Sequence, residues 1–178
     1  MTRTLPTLVA CCTLATIAAC KPPPTDADMR RDLPASEPVF ASEPLPSPDI
    51  EGAIWAVSPN DSARLIYGVP GQPALVALEC RNEDGSLPNI SITRLAPADE
   101  GAGALLALVG NGHIGRIAVD AIEVGGRRVW QGGRPASDSA WEPLAGARAV
   151  TLTVPGAGTV TLNRGRLAGE FLEKCRAL

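Results

Sequence analysis

The chain has 178 residues, 45% hydrophobic and 20% charged, with a formal net charge of −3 at pH 7 and a single histidine. Its acid surplus lies in residues 21–53, with seven acids against three bases, whereas residues 54–178 carry twelve of each. A balanced domain lacks the net basic face that nucleic acid or a polybasic membrane patch requires, so neither is expected as a partner.

The amino end, MTRTLPTLVACCTLATIAAC, places Arg3 ahead of an apolar stretch from Leu5 to Ala15 and then mostly small residues, the layout of a secretory signal peptide. Cys20 ends the apolar part and Lys21 with three prolines follows. A membrane-spanning helix needs roughly 20 consecutive apolar residues, so no span is expected. Ile17-Ala18-Ala19-Cys20 resembles the lipobox of bacterial lipoproteins. The resemblance implies cleavage after residue 19, a diacylglyceryl group on the Cys20 thiol and acylation of the new amino group. It therefore implies residues 1–19 as signal peptide, Cys20 as lipidation site and the membrane as partner through the lipid anchor. Lys21 stands where aspartate would retain such a protein on the inner membrane, so outer-membrane delivery is implied. Leu8-Val9-Ala10-Cys11 also fits the box but leaves an apolar run of only six residues, below the usual ~7 to 15. An ordinary cleaved signal peptide with an unmodified Cys20 is the alternative.

Residues 20–53 form the lipidated cysteine and its tether. Residues 21–53 hold eight of the chain's seventeen prolines. Such a segment tends to polyproline II and would span from about 30 Å as a coil to about 100 Å fully extended. It reads as a spacer, with a proline-rich docking motif as the alternative.

Residues 54–178 are long enough for one domain with a real core. Apolar and polar residues alternate in Arg64–Tyr67, Asn89–Leu95, Arg116–Val124, Ala149–Val154 and Thr159–Leu162, the period of a half-buried strand. In Arg116–Val124 the phase shifts between Val119 and Ile122, which suggests a bulge. PALVALEC and ALLALV are continuous apolar runs bounded by glycine and proline and read as strands. EDG at 83–85 and PGAG at 155–158 supply turns between strands. Only residues 164–178 show a helical face, through Leu167, Phe171, Leu172 and Cys175. The expected fold is all-β, an antiparallel β-sandwich or barrel with one C-terminal α-helix.

Cys11 and Cys12 leave with the signal peptide and Cys20 carries lipid, so Cys80 and Cys175 remain. In an oxidising compartment such a pair reads as a disulfide. A metal pair or redox couple is the alternative, without a C-x-x-C spacing or a histidine nearby in sequence.

The segment LVGNGHIGR matches G-x-G-x-x-G through Gly110, Gly112 and Gly115. A dinucleotide fingerprint needs a helix after the glycines, and a strand-like run follows instead. The segment is read as a hairpin turn in which glycine supplies positive φ, and no nucleotide is expected. His113 at its tip reads as a solvated turn residue. A metal site of His113, Asp120 and Glu123 matches no ligand motif, so no metal and no cofactor are expected. No G-x-S-x-G elbow, H-E-x-x-H or P-loop pattern occurs, and the chain is expected not to be an enzyme. Trp55, Tyr67, Trp130, Trp141 and Phe171 read as core anchors in preference to a sugar-stacking platform.

A tryptophan near the domain start, YGVPGQ, an apolar strand ending LEC and a final helix ending CR resemble small exported proteins of bacterial envelopes, a resemblance that implies no activity. Trp130-Gln131-Gly132-Gly133-Arg134-Pro135-Ala136 also resembles a segment of lipoproteins that inhibit C-type lysozyme, with Gly132 where that family has lysine. That likeness implies a binding loop of Gly110, Asn111, Gly112, His113 and Gly115 beside Trp130, and a cell-wall hydrolase as partner. The family's S-G-S-G-x-x-Y loop is missing. The expected function is a non-enzymatic, lipid-anchored envelope protein, a binding or structural module with another envelope protein as its partner. Inhibition of a cell-wall hydrolase is the alternative.

Overall fold

The computed structural model describes residues 43–82 and 86–178. The expected signal peptide, Cys20, most of the expected tether and the expected turn at 83–85 lie outside the described residues. Nine strands follow in order: β1 (Ile54–Ser58), β2 (Asp61–Gly68), β3 (Val76–Arg81), β4 (Asn89–Pro97), β5 (Gly103–Gly110), β6 (His113–Val124), β7 (Arg127–Pro135), β8 (Val150–Thr153) and β9 (Thr159–Leu162). A 3-10 turn (Ser139–Trp141) and the short helix α1 (Glu142–Ala145) separate β7 from β8, and α2 (Leu167–Arg176) ends the chain.

All strands join one sheet in the order β1-β2-β3-β4-β7-β6-β5-β8-β9, every pair antiparallel. The sheet curls into a nearly closed barrel, which decides between the two expected architectures. Period-two alternation sorts the side chains. In β6, Gly115, Ile117 and Val119 face the filled interior while Ile114, Arg116 and Ala118 face outward. Ile90, Ile92, Leu106, Leu108, Leu152 and Leu162 complete the fully buried centre. The phase shift expected in β6 is not a bulge, because its register with β7 runs unbroken from Asp120 to Val124. Its partner changes there, since β5 accompanies β6 only as far as Asp120. Ile122 and Val124 therefore stay on the outer face, where Ile122 meets Val129 of β7.

Side chains help close the seam between the outermost strands. The hydroxyl of Tyr67, fully buried on β2, donates to the Thr161 carbonyl of β9 at 2.9 Å and accepts from the Asn163 N–H at 2.9 Å. Asn163 Nδ2 then donates to the Ala53 carbonyl at 2.9 Å. These bonds satisfy edge groups that would otherwise invite another strand. Burial raises the Tyr67 pKa, and the Asn163 N–H, which favours the phenolate, pulls it partly back.

The end of the proline-rich segment lies on this barrel. Leu45 N–H donates to the Gly156 carbonyl at 2.9 Å, Ser47 Oγ accepts from Thr159 N–H at 3.0 Å, and Ala53 is 1% exposed. Proline removes donors only at its own positions, so Leu45 between two prolines still bonds.

Helices cover one end. Ala168, Gly169, Phe171, Leu172 and Cys175 form the buried face of α2, as the spacing of apolar residues predicts. Cys175 bonds Cys80 on β3, with Cα atoms 5.8 Å apart. Arg176 ties the two helices together, donating to the Ala136 carbonyl and pairing with Glu142 of α1 at 2.9 Å. The segment 139–145, which has no helical periodicity, starts where Asp138 accepts from Ala140 N–H at 2.8 Å, and Pro143 occupies the first turn of α1.

Candidate functional site

The glycine-rich segment is the β5–β6 hairpin. Asn111 and Gly112 sit at φ 52° and 84° between the paired Gly110 and His113, a two-residue reversal with both central residues left-handed. Asn111 is spent on structure: its Nδ2 donates to the Pro143 carbonyl at 2.8 Å and its Oδ1 accepts from Arg148 N–H at 3.1 Å. A Cβ on Gly115 would collide with the Ala140 carbonyl, and one on Gly110 would collide with Val150. The glycines admit the helical cap to the end of the barrel. Gly112, His113 and Ile114 are left to solvent, and His113 is the polar side chain among them.

Trp130 does not join this loop. It is 7% exposed, bonds the Pro97 carbonyl through Nε1 at 3.2 Å, and lies opposite Ala121 of β6. At ~3.3 Å per residue, the strand between His113 and Ala121 sets the two about 26 Å apart. The expected surface of the hairpin beside Trp130 is therefore not assembled. Asp120 likewise lies at the far end of the β5–β6 ladder from His113. Among the described residues no three His, Cys, Asp or Glu side chains converge on a metal position.

Space opens at the other end, around a break in β4. The register between β4 and β7 jumps from Arg94↔Trp130 to Pro97↔Val129, inserting Leu95 and Ala96. Extra residues unpair a ladder and bend the strand. Two cavities flank the break and share Pro97 and Ala98. One, of about 580 Å³, has an apolar wall that includes Leu95, Val124 and Val129, three arginines (Arg64, Arg127 and Arg128) and no acid. The other, of about 390 Å³, is lined by Leu45, Trp130 and Pro155, and its charged residues are Glu43 and Asp99.

The basic cavity's arginines differ in how far they are neutralised. Arg64 approaches Glu79 at 3.7 Å, and Arg128 meets Glu100, itself 86% exposed, at 3.4 Å. The exposed pair of Arg128 with Glu100 is worth at most about 1 kcal/mol, whereas Glu79 is only 18% exposed and is also held by Arg81 at 2.8 Å. Arg127 is exposed and forms no ion pair with a described residue. The turn Gly125-Gly126, at φ 57° and 74°, sets Val124 and Arg127 opposite each other across the hairpin. The rim thus presents an apolar and a cationic side chain together.

Arg94, beside the break, is a strut. It is 4% exposed, and its Nη1 and Nη2 donate to the Leu75 and Ala157 carbonyls at 3.0 and 3.1 Å. Burial away from any carboxylate lowers its pKa. Its two bonds tie the β2–β3 connection to the loop between β8 and β9. Sequence parity carries this signal, because Arg94 stands in phase with the inward Ile90 and Ile92. The basic cavity is not legible in the sequence, because the break in β4 depends on pairing with a distant strand. The Gly-Gly dipeptide between Val124 and Arg127 was its one local sign.

Comparison of the chain with protein-family models, with curated proteins and with solved structures finds no match in any of the three.

Proposed function

We propose that the protein is a non-enzymatic, lipid-anchored module of the bacterial cell envelope that binds a ligand in the basic cavity beside the β4 break. The carrying observation is the contrast between a filled barrel interior and a cavity of about 580 Å³ whose three charged residues are all arginines. Its volume falls within the ~300 to 1,000 Å³ of small-ligand sites, which combine apolar walls with a few polar groups. The lipobox resemblance at Ile17–Cys20 supports the anchor, and Lys21 supports outer-membrane delivery. No described helix is long and apolar enough to cross a membrane. Acyl chains stabilise attachment by about 0.8 kcal/mol per buried methylene.

Two measurements test this reading. Cys20→Ser should abolish incorporation of labelled palmitate and release the protein from the membrane fraction; a labelled, membrane-bound mutant sinks the anchor. Native mass spectrometry of protein purified from its own envelope should show a non-covalent adduct that Ala74→Trp, which fills the cavity, removes. An adduct-free wild type sinks the binding role.

A further inference from the structure

We infer that the basic cavity takes an amphiphile, a long hydrocarbon chain with an anionic oxygen head, and that Arg127 is the principal contact for the head. This rests on the binding role proposed above and names its ligand class. The domain carries twelve bases and twelve acids, yet this one cavity gathers three of the bases and none of the acids. Such a concentration favours an anion, and the apolar walls of Leu95, Val124 and Val129 favour a chain attached to it.

Arg127 is the contact best placed to supply specificity. A guanidinium presents a planar fork that matches carboxylate or phosphate oxygens in a bidentate pair. Arg128 already shares the exposed Glu100 at 3.4 Å, a weak bridge that costs little to trade for a ligand oxygen, and Arg64 stands 3.7 Å from Glu79, which Arg81 continues to hold at 2.8 Å. Arg127 has no such bridge to give up. Val124, its ladder partner across the Gly125-Gly126 turn, meets the chain where the head ends. The neighbouring cavity provides an internal control: it is also largely apolar, but Glu43 and Asp99 on its wall repel the same head.

The probes are dodecanoate, dodecyl phosphate and uncharged dodecanol, titrated calorimetrically below their micellar concentrations into the full chain carrying Cys20→Ser. One anion should bind per chain, and dodecanol about tenfold more weakly or less. Arg127→Gln should weaken the anions about tenfold, or ~1.4 kcal/mol, and leave dodecanol unchanged. Preference between the two anions tells a carboxylate ligand from a phosphate one. Val124→Glu, on an exposed hairpin tip where folding is least at risk, should abolish anion binding, and Ala74→Trp should abolish binding of every chain. Equal affinity for dodecanol, indifference to Arg127→Gln, or anion binding that survives Val124→Glu overturns the inference. If no probe binds while the envelope-purified protein still carries an adduct, this ligand class falls and the binding role stands; loss of both removes both.

Discussion

The two ends of the barrel are built on opposite terms. At the helical end, the glycine-rich hairpin is spent on packing and on the turn itself: Asn111 holds Pro143 and Arg148, Gly115 admits the Ala140 carbonyl, and Gly112 supplies the left-handed reversal. At the other end, two inserted residues of β4 leave space flanked by arginine. A motif that resembles a binding loop is thus a packing device, while the cavity stands over a break in register that has no motif at all. Local residue patterns report local geometry; a surface for a ligand arises where non-local pairing fails.

The largest expected effect tests the helical end. Cys80→Ser and Cys175→Ser should each destabilise the domain by about 2–5 kcal/mol, the usual loss when a small exported domain is deprived of a disulfide. The double mutant should be little worse than either single one, since one bond is shared by two residues. Denaturant melts of the four proteins, with thiol labelling of the unfolded wild type, decide the matter; additive losses point to two independent thiols.

Arg94→Ala tests the other end and should cost about 2 kcal/mol, because the Ala157 carbonyl loses its donor, and an orphaned group costs about 1–3 kcal/mol, while the Leu75 carbonyl keeps the Leu95 N–H. Unlike the cysteine variants, it keeps the bridge between Cys80 and Cys175, so reductant should lower its melting point by about as much as it lowers that of wild type. A loss below about 1 kcal/mol would mean that water replaces the guanidinium and that this end tolerates hydration.

Tyr67→Phe probes the seam between the ends and should cost about 1–2 kcal/mol for its two hydrogen bonds. It also carries a pH signature. Burial raises the Tyr67 pKa, so the folded chain holds the phenolic proton more tightly than the unfolded chain. The resulting stabilisation is fully present below about pH 10, the ordinary tyrosine value, and is lost as pH rises through the raised folded value. Tyr67 is the only tyrosine in the chain, so phenolate absorbance follows it alone. An alkaline stability profile identical in wild type and Tyr67→Phe would contradict a buried seam. The smallest effect belongs to His113→Ala, expected within about 0.5 kcal/mol of wild type, as for other exposed positions free of special contacts. A loss of more than about 1 kcal/mol in a denaturant melt would show that the hairpin tip bears load.

Much of the fold is legible in the chain. Alternation marks β4, β6, β8 and β9, the apolar spacing of α2 marks its buried face, and the expectation of export with two remaining cysteines points to the bond between Cys80 and Cys175. β7 escapes because Gly132 and Gly133 interrupt its pattern, and Gly132 is required there by the close approach of the Ala118 carbonyl. The helical segment 139–145 is too short for periodicity to show. The choice of barrel over sandwich depends on strands far apart in sequence, such as β2 and β9 joined through Tyr67. The cavity depends on register, which no single strand encodes.

The position of the disulfide also sets how the domain would bear tension. Cys80 lies near the end of β3 and Cys175 in the last turn of α2, a sequence separation of 95. A pull between the two ends of the domain runs through β1, β2 and β3, crosses the sulfur bridge and leaves through the last turn of α2. Everything from β4 to β9 lies off that path and cannot lengthen while the bridge is intact. Stretching would peel only the first three strands, so the cavity wall on β4, β6 and β7 outlasts Arg64 on β2. In single-molecule stretching, reduction of the bridge should appear as the release of a second, longer extension.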